Sequence, residues 1–147
     1  MEEWMFMEIK TVSKVTAYIT RLHNNKRQLL VFKEQGYEHL GLQVPGGTVE
    51  ENEDLLSAVQ REIHEEAGIN DAANIILLGE YTYYLEKLKS NVKRYYFQMN
   101  AACPDQFTHI VQSNDEDNGW IYNYHWFDLD EKPTLFGYLG VHLDKVL

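Results

Sequence analysis

One stretch governs what this chain of 147 residues can become: the run from Gly47 to Ile69, which reads as one amphipathic helix entered through a glycine turn and stopped by another glycine. Asn52 stands where an N-cap is expected, Glu53 and Asp54 place negative charge on the first turn, and Gly68 supplies a left-handed stop. The spacing predicts a helix from Glu53 to Ala67. At about 100° per residue, Leu55, Leu56, Val59, Ile63 and Ala67 fall within one apolar stripe, so that face belongs to a core.

The charges of this helix sit at its less favourable end. Glu66 lands inside the apolar stripe, while Glu62 and Glu65 lie on its flank. Glu62 and Glu66 are four residues apart and repel, and the last turn carries the negative end of the helix dipole. Arg61 is the nearby cation, and one guanidinium cannot neutralise three carboxylates. A solvated acidic helix end paired with distant lysines explains such charges where they point outward, but Glu66 points inward. Local conflict of this density marks a functional site, and hard divalent cations take carboxylate oxygens as ligands.

Before the helix, Leu40-Gly-Leu-Gln-Val-Pro-Gly-Gly47 reads as a short buried strand that stops at Pro45 and turns through two glycines. Glycine lets the backbone approach a ligand closely, so the carbonyl of Gly46 becomes a fourth candidate ligand.

These residues resemble the Nudix box: glycine, five residues, glutamate, seven residues, then Arg-Glu-aliphatic-any-Glu-Glu-any-Gly-aliphatic. The chain matches at every specified position, from Gly47 through Glu53, Arg61, Glu62, Ile63, Glu65, Glu66 and Gly68 to Ile69. Chance agreement at that many positions has a probability on the order of 10⁻¹⁰ per starting point. Val44-Pro-Gly-Gly47 and Trp126-Phe-Asp-Leu-Asp-Glu131 also resemble the family's flanks. The resemblance implies an α/β fold, an α/β/α sandwich with a mixed β-sheet between helices. It also implies hydrolysis of a diphosphate linkage in a nucleoside diphosphate derivative, with Mg²⁺ or Mn²⁺ as cofactor. By the same resemblance, Glu62, Glu65 and Glu66 hold metal with the Gly46 carbonyl assisting, Arg61 positions a glutamate, and Glu53 braces the loop and helix. Either Glu62 or Glu116 takes a proton from the attacking water. A non-catalytic Nudix domain that binds nucleotide or a protein partner is the alternative, although such members usually lack box glutamates and this chain retains all of them.

Composition narrows the setting. The length suits one domain, 1–147, around a single core. A formal charge of −10 argues against general nucleic-acid binding, which relies on basic surface. The first eight residues offer neither a basic region nor a long apolar run, so neither signal nor membrane anchor is expected. A lone Cys103 excludes an internal disulfide, and the expected location is the cytoplasm. The expected partner is a small-molecule nucleoside diphosphate derivative, with a homodimer left open.

Elsewhere the pattern predicts strands over 14–21 and 28–32 joined at Asn24-Asn25, a hairpin of 75–85 and 92–101, a strand over 122–128, and a short helix in 134–147 weakened by Gly137 and Gly140. In the hairpin, Tyr81, Tyr83, Tyr84, Tyr95, Tyr96 and Phe97 are expected to fill the core alternately and decorate the sheet; a base stacked on one ring is the competing reading. Lys87, Lys89, Lys93 and Arg94 form a basic cluster suited to steering phosphate or to a solvated hairpin tip. His64 falls on the solvent side, and the other histidines show no ligand spacing. In the acidic run Asp115-Glu116-Asp117, Glu116 is the candidate carboxylate beyond the box, a solvated turn being the other reading. Substrate identity stays open: Leu85 stands where similar ADP-ribose hydrolases carry proline, and the patterns of the NADH and coenzyme A subfamilies are absent.

Overall fold

A computed structural model describes residues 9–147. Its centre is β1 (Thr11–His23), joined to β2 (Lys26–Glu34) by Asn24 and Asn25, both in the left-handed region at φ 52° and 63°. Two such residues make the primed turn whose twist matches a tight antiparallel hairpin. After β3 (Gly46–Thr48) come helix α1 (Leu55–Ala67), β4 (Ala73–Leu85), β5 (Ser90–Asn100), β6 (Gln106–Ile110) and β7 (Ile121–Asp128). The seven strands form one sheet in the order β4-β5-β1-β2-β7-β6, with β3 also on β1. β1 and β5 run parallel and the other pairs antiparallel, so the sheet is mixed as expected.

Alternation along β1 divides the core in two. Val15, Ala17 and Ile19 face α1 and pack with Val59, Ile63 and Ala67. Tyr18 faces the other way and packs with Leu29, Val31 and Tyr96 beneath Leu139 and Leu143. That second layer is made of 3₁₀ turns: the short helix expected in 134–147 is two of them, Gly137–Gly140 and Leu143–Lys145. Gly137 at φ 57° interrupts the regular helical run.

One edge of β1 is shared, and this fork positions the site. β2 pairs with Thr20–His23, while β3 takes Lys14–Thr16. The strand expected to end at Pro45 instead begins just after it. Leu42 and Gln43 make only isolated bridges, to Leu135 and Phe32, because the free edge of β1 is first met at Gly46. β6 was not foreseen from the sequence. Among the described residues no helix is long and apolar enough to cross a membrane.

Candidate active site

Helix α1 begins two residues later than its sequence suggests. Asp54, not Asn52, is the N-cap: its carboxylate accepts from Ser57 N–H at 2.7 Å. Asn52 has φ 64° in the turn before it, which folds Glu53 back so that its Oε1 accepts from Glu50 N–H at 3.0 Å. Glu53 is thereby left outside the helix, free to meet Arg61. At the other end Gly68 takes the expected left-handed conformation, φ 71°, and its N–H donates to His64 O.

The buried face carries Ala58, Val59, Glu62, Ile63, Glu66 and Ala67. Glu66 is buried as its position in the apolar stripe predicts, but Glu62 joins it, and Leu56, assigned to the stripe, is half exposed. β3 explains the burial of Glu62. Ala17 N–H donates to Pro45 O and Val49 N–H to Ser13 O, so the pairs between β1 and β3 that exchange bonds bracket Gly46 and leave its N–H and carbonyl turned away from β1. Gly46 N–H donates to Glu66 Oε1 at 3.0 Å. A Cβ on Gly46 would collide with the Val15 carbonyl, and one on Gly47 with the Glu62 carboxylate. Both glycines are therefore required by close approach, one to the sheet and one to the helix.

Arg61 ties this arrangement together. Its Nε and Nη2 grip Glu53 at 2.8 and 2.9 Å, Nη2 also donates to Thr48 O at 3.0 Å, and Nη1 reaches Glu62 at 2.9 Å and Glu65 at 3.3 Å. The bond to Glu53 above all holds the guanidinium charged and holds the Glu53 carboxyl below the usual carboxylate range. One cation spread over Glu53, Glu62 and Glu65, with Glu50 also at 3.7 Å, leaves the cluster short of positive charge. Burial, opposed in part by Arg61, pushes Glu62 up to about 7, and burial with the Glu62 charge pushes Glu66 well above the usual range. Glu65, half-buried, is raised by the same cause.

The acidic run beyond the box contributes a different member from the one expected. Asp117 is half-buried and its charge acts on Glu62, Glu65 and Glu66; Glu116 is exposed. Ser113 Oγ donates to Asp117 Oδ1 at 2.5 Å, and Asn118 accepts from Ser113 N–H, which fixes the loop. An alternation of exposed and half-buried positions carries no signal in so short a run, and hydrogen bonds across the loop decide the matter.

Three bonds pin the C-terminal end of α1 to the neighbouring strands. Glu65 O accepts from His109 Nε2 at 2.9 Å and from Gln112 N–H at 3.0 Å, and Glu66 O accepts from the buried Tyr124 hydroxyl at 2.8 Å. Because a carbonyl only accepts, His109 carries its proton on Nε2. His64 is exposed, as its place on the wheel requires.

The donors fit a hard divalent cation by their chemistry: buried or half-buried carboxylates, adjacent and raised in pKa chiefly by burial, beside a backbone carbonyl turned out of the sheet. Among the described residues they are not drawn into a closed cluster of three, since Arg61 and the Gly46 N–H each hold one oxygen.

On the far side of β3 lies a cavity of about 370 Å³, lined by Lys14, Gly46, Gly47, Tyr83, Arg94 and Tyr138 among others. Tyr96 and Phe97 fill the core as expected, but Tyr83 lines this cavity. The basic cluster of the hairpin divides: Lys93 pairs with Glu80 at 3.5 Å, Lys87 and Lys89 are exposed at the tip, and Arg94 turns into the cavity. Lys14 and Tyr138 were not singled out in the sequence.

Residues 12–139 match the NUDIX domain. No curated protein matches the chain. Among solved structures the chain is similar to a MutT NUDIX hydrolase from Burkholderia pseudomallei, with 23% identity, 94% of this chain and 99% of that one covered, and a TM-score of 0.68. It is also similar to a NUDIX hydrolase from Nitrosomonas europaea, with 21% identity over 92% and 88% of the two chains and a TM-score of 0.62. A C. elegans Ap4A hydrolase has 25% identity over 92% and 95%, with a TM-score of 0.54. The match over nearly the whole described chain, on a mixed sheet whose fork brings the glutamates of α1 against Gly46 and Gly47, shows that the chain belongs to the NUDIX domain family, the hydrolases of phosphoanhydride bonds.

Proposed function

We propose that this chain hydrolyses a diphosphate linkage in a nucleoside diphosphate derivative with the help of Mg²⁺ or Mn²⁺. The observation that carries the reading is the pair of buried glutamates, Glu62 and Glu66, against the glycine backbone of β3, with Arg61 bonded to Glu62 and none of the described cations paired with Glu66. Glu62, Glu65, Glu66 and the Gly46 carbonyl would hold the metal. Once bound, a divalent ion neutralises phosphate oxygens and lowers the pKa of a coordinated water.

The remaining work falls to the chain's own side chains. Arg61, gripped by Glu53, orients Glu62 and Glu65 and keeps the glycine loop against the helix. A carboxylate at the edge of the cluster takes the proton from the attacking water. Glu62 is one candidate, and Asp117 replaces Glu116 as the other because its charge acts on all three glutamates of the helix end. The nucleotide part of the substrate is supported by the similarity to a C. elegans Ap4A hydrolase.

Product release from nucleoside di- and triphosphates, nucleotide sugars and dinucleoside polyphosphates, measured with Mg²⁺ and Mn²⁺, tests the reading. Hydrolysis is expected for at least one class, with ¹⁸O from labelled water in one product, and Glu66→Gln should lower turnover by on the order of 10² or more. Near-wild-type turnover of Glu66→Gln would remove the metal assignment. Tight binding with no product from any compound would make the chain a binding module.

A further inference from the structure

A second cavity, of about 620 Å³, lies in the layer of 3₁₀ turns on the side of the sheet away from α1, and it shares no lining residue with the cavity beside β3. Arg27, which lines it, is the register partner of Leu22 on β1, six residues along that strand from Thr16, the partner of Gly46. At about 3.3 Å per strand residue, the two places are about 20 Å apart. Leu129, Leu143 and Val146 form a half-buried apolar floor and pack against the core cluster of Tyr18, Leu29 and Val31. A hollow of this size is in the small-ligand range.

Charge surrounds that floor in equal amounts of both signs. Arg27, half-buried, and Lys132, exposed, belong to the wall made by the start of β2 and the turn Leu129–Glu131 that follows β7. Asp144 belongs to the wall made by the last turn, Leu143–Lys145, and Asp130 lies two residues before Lys132; both are exposed. None of the four forms an ion pair among the described residues. In a chain with a formal charge of −10, a rim that is neutral overall but carries both signs disfavours a polyphosphate, whose charge is all of one sign, and complements a ligand bearing one charge of each.

We propose that this second cavity binds a small zwitterion with an apolar body, a short apolar peptide or a free apolar amino acid, with Arg27 and Lys132 holding its carboxylate, Asp144 its ammonium, and Leu129, Leu143 and Val146 its side chains. Each part of the ligand answers a separate part of the wall, so removing either charge or the apolar body weakens binding independently. The site stands apart from the hydrolysis reading, since it contains none of the glutamates of α1 and neither glycine of β3.

Titration calorimetry of the full chain separates these demands. The probes are leucyl-leucine, L-leucine, glycylglycine, N-acetyl-leucyl-leucine and leucyl-leucine amide. Leucyl-leucine or L-leucine is expected to bind saturably at one site, and the tighter of the two tells peptide from free amino acid. Glycylglycine should bind about tenfold or more weakly than leucyl-leucine, having no side chains for the floor. Capping either terminus should weaken binding about fivefold or more. Arg27→Gln should weaken leucyl-leucine by a similar factor and leave the amide unchanged, while Asp144→Asn should weaken leucyl-leucine and leave the N-acetyl form unchanged. Far-UV circular dichroism and a melting curve establish that each variant is folded, and Lys132→Gln repeats the carboxylate arm at an exposed residue. No saturable binding of leucyl-leucine or L-leucine, or equal binding of the capped forms and glycylglycine, overturns the site. Binding that Arg27→Gln, Lys132→Gln and Asp144→Asn all leave unchanged places the probe elsewhere and overturns it as well.

Discussion

Arg61 shows how much of the site depends on the shape of one side chain. A planar fork is needed to grip both oxygens of Glu53, reach the Thr48 carbonyl and still present Nη1 to Glu62 and Glu65. Lysine keeps the charge and loses the geometry. Arg61→Lys should therefore stay folded yet lose turnover by on the order of 10²-fold, as a displacement of about 1 Å at a reacting centre does. Steady-state kinetics at saturating Mg²⁺ checks it. Turnover within a factor of about three of wild type would mean that charge alone suffices at this position. The role was legible in the sequence only as a resemblance. Its physical content, one guanidinium joining the loop before the helix to the helix end, needed the turn at Asn52 that swings Glu53 back.

Helix α1 is an element whose functional end is fixed from outside. Its C-terminal carbonyls at Glu65 and Glu66 are satisfied by His109, Gln112 and Tyr124 from the β6 to β7 region, so two strands set where the glutamates stand. Tyr124→Phe removes one donor and leaves the buried Glu66 carbonyl unpaired. The expected cost is about 1 to 2 kcal/mol by denaturant unfolding, with turnover falling further than Michaelis constant rises, because Glu66 itself is displaced. A stability loss with unchanged turnover would show that the bond holds the fold and not the site. The helix period and Gly68 were readable because they are local patterns. β6 was not, since Gln106 to Ile110 is a strand only through its pairing with β7, and neither was the cap at Asp54, which depends on where the preceding turn closes. Tyr138 reaches the cavity through a turn bolted to strands more than forty residues away in the chain, a relation that periodicity does not encode.

For the whole molecule, the fork in the sheet sets an acidic nest against a cationic cavity across the two glycines of β3, and the nest leaves a mark on global stability. In the metal-free protein Glu62 is pushed up to about 7 and Glu66 is raised well above the usual range, both chiefly by burial. The unfolded chain releases these protons near the ordinary glutamate value of about 4.3. Between that value and about 7 the native state thus holds more protons than the unfolded state, and stability falls as pH rises through the window. Divalent metal favours the ionised carboxylates and opposes the loss. In EDTA the melting temperature should drop on the order of 5 °C from pH 5.5 to pH 8, and millimolar MgCl₂ should raise it more at pH 8 than at pH 5.5. Glu62→Gln and Glu66→Gln should each flatten the slope in EDTA, because the substituted amide has no charge to bury. Melting curves of the three proteins at both pH values decide the point. A melting temperature that climbs between pH 5.5 and 8 without metal would mean that the glutamates are already neutralised by the chain's own cations, and the nest would then have no call on a metal ion.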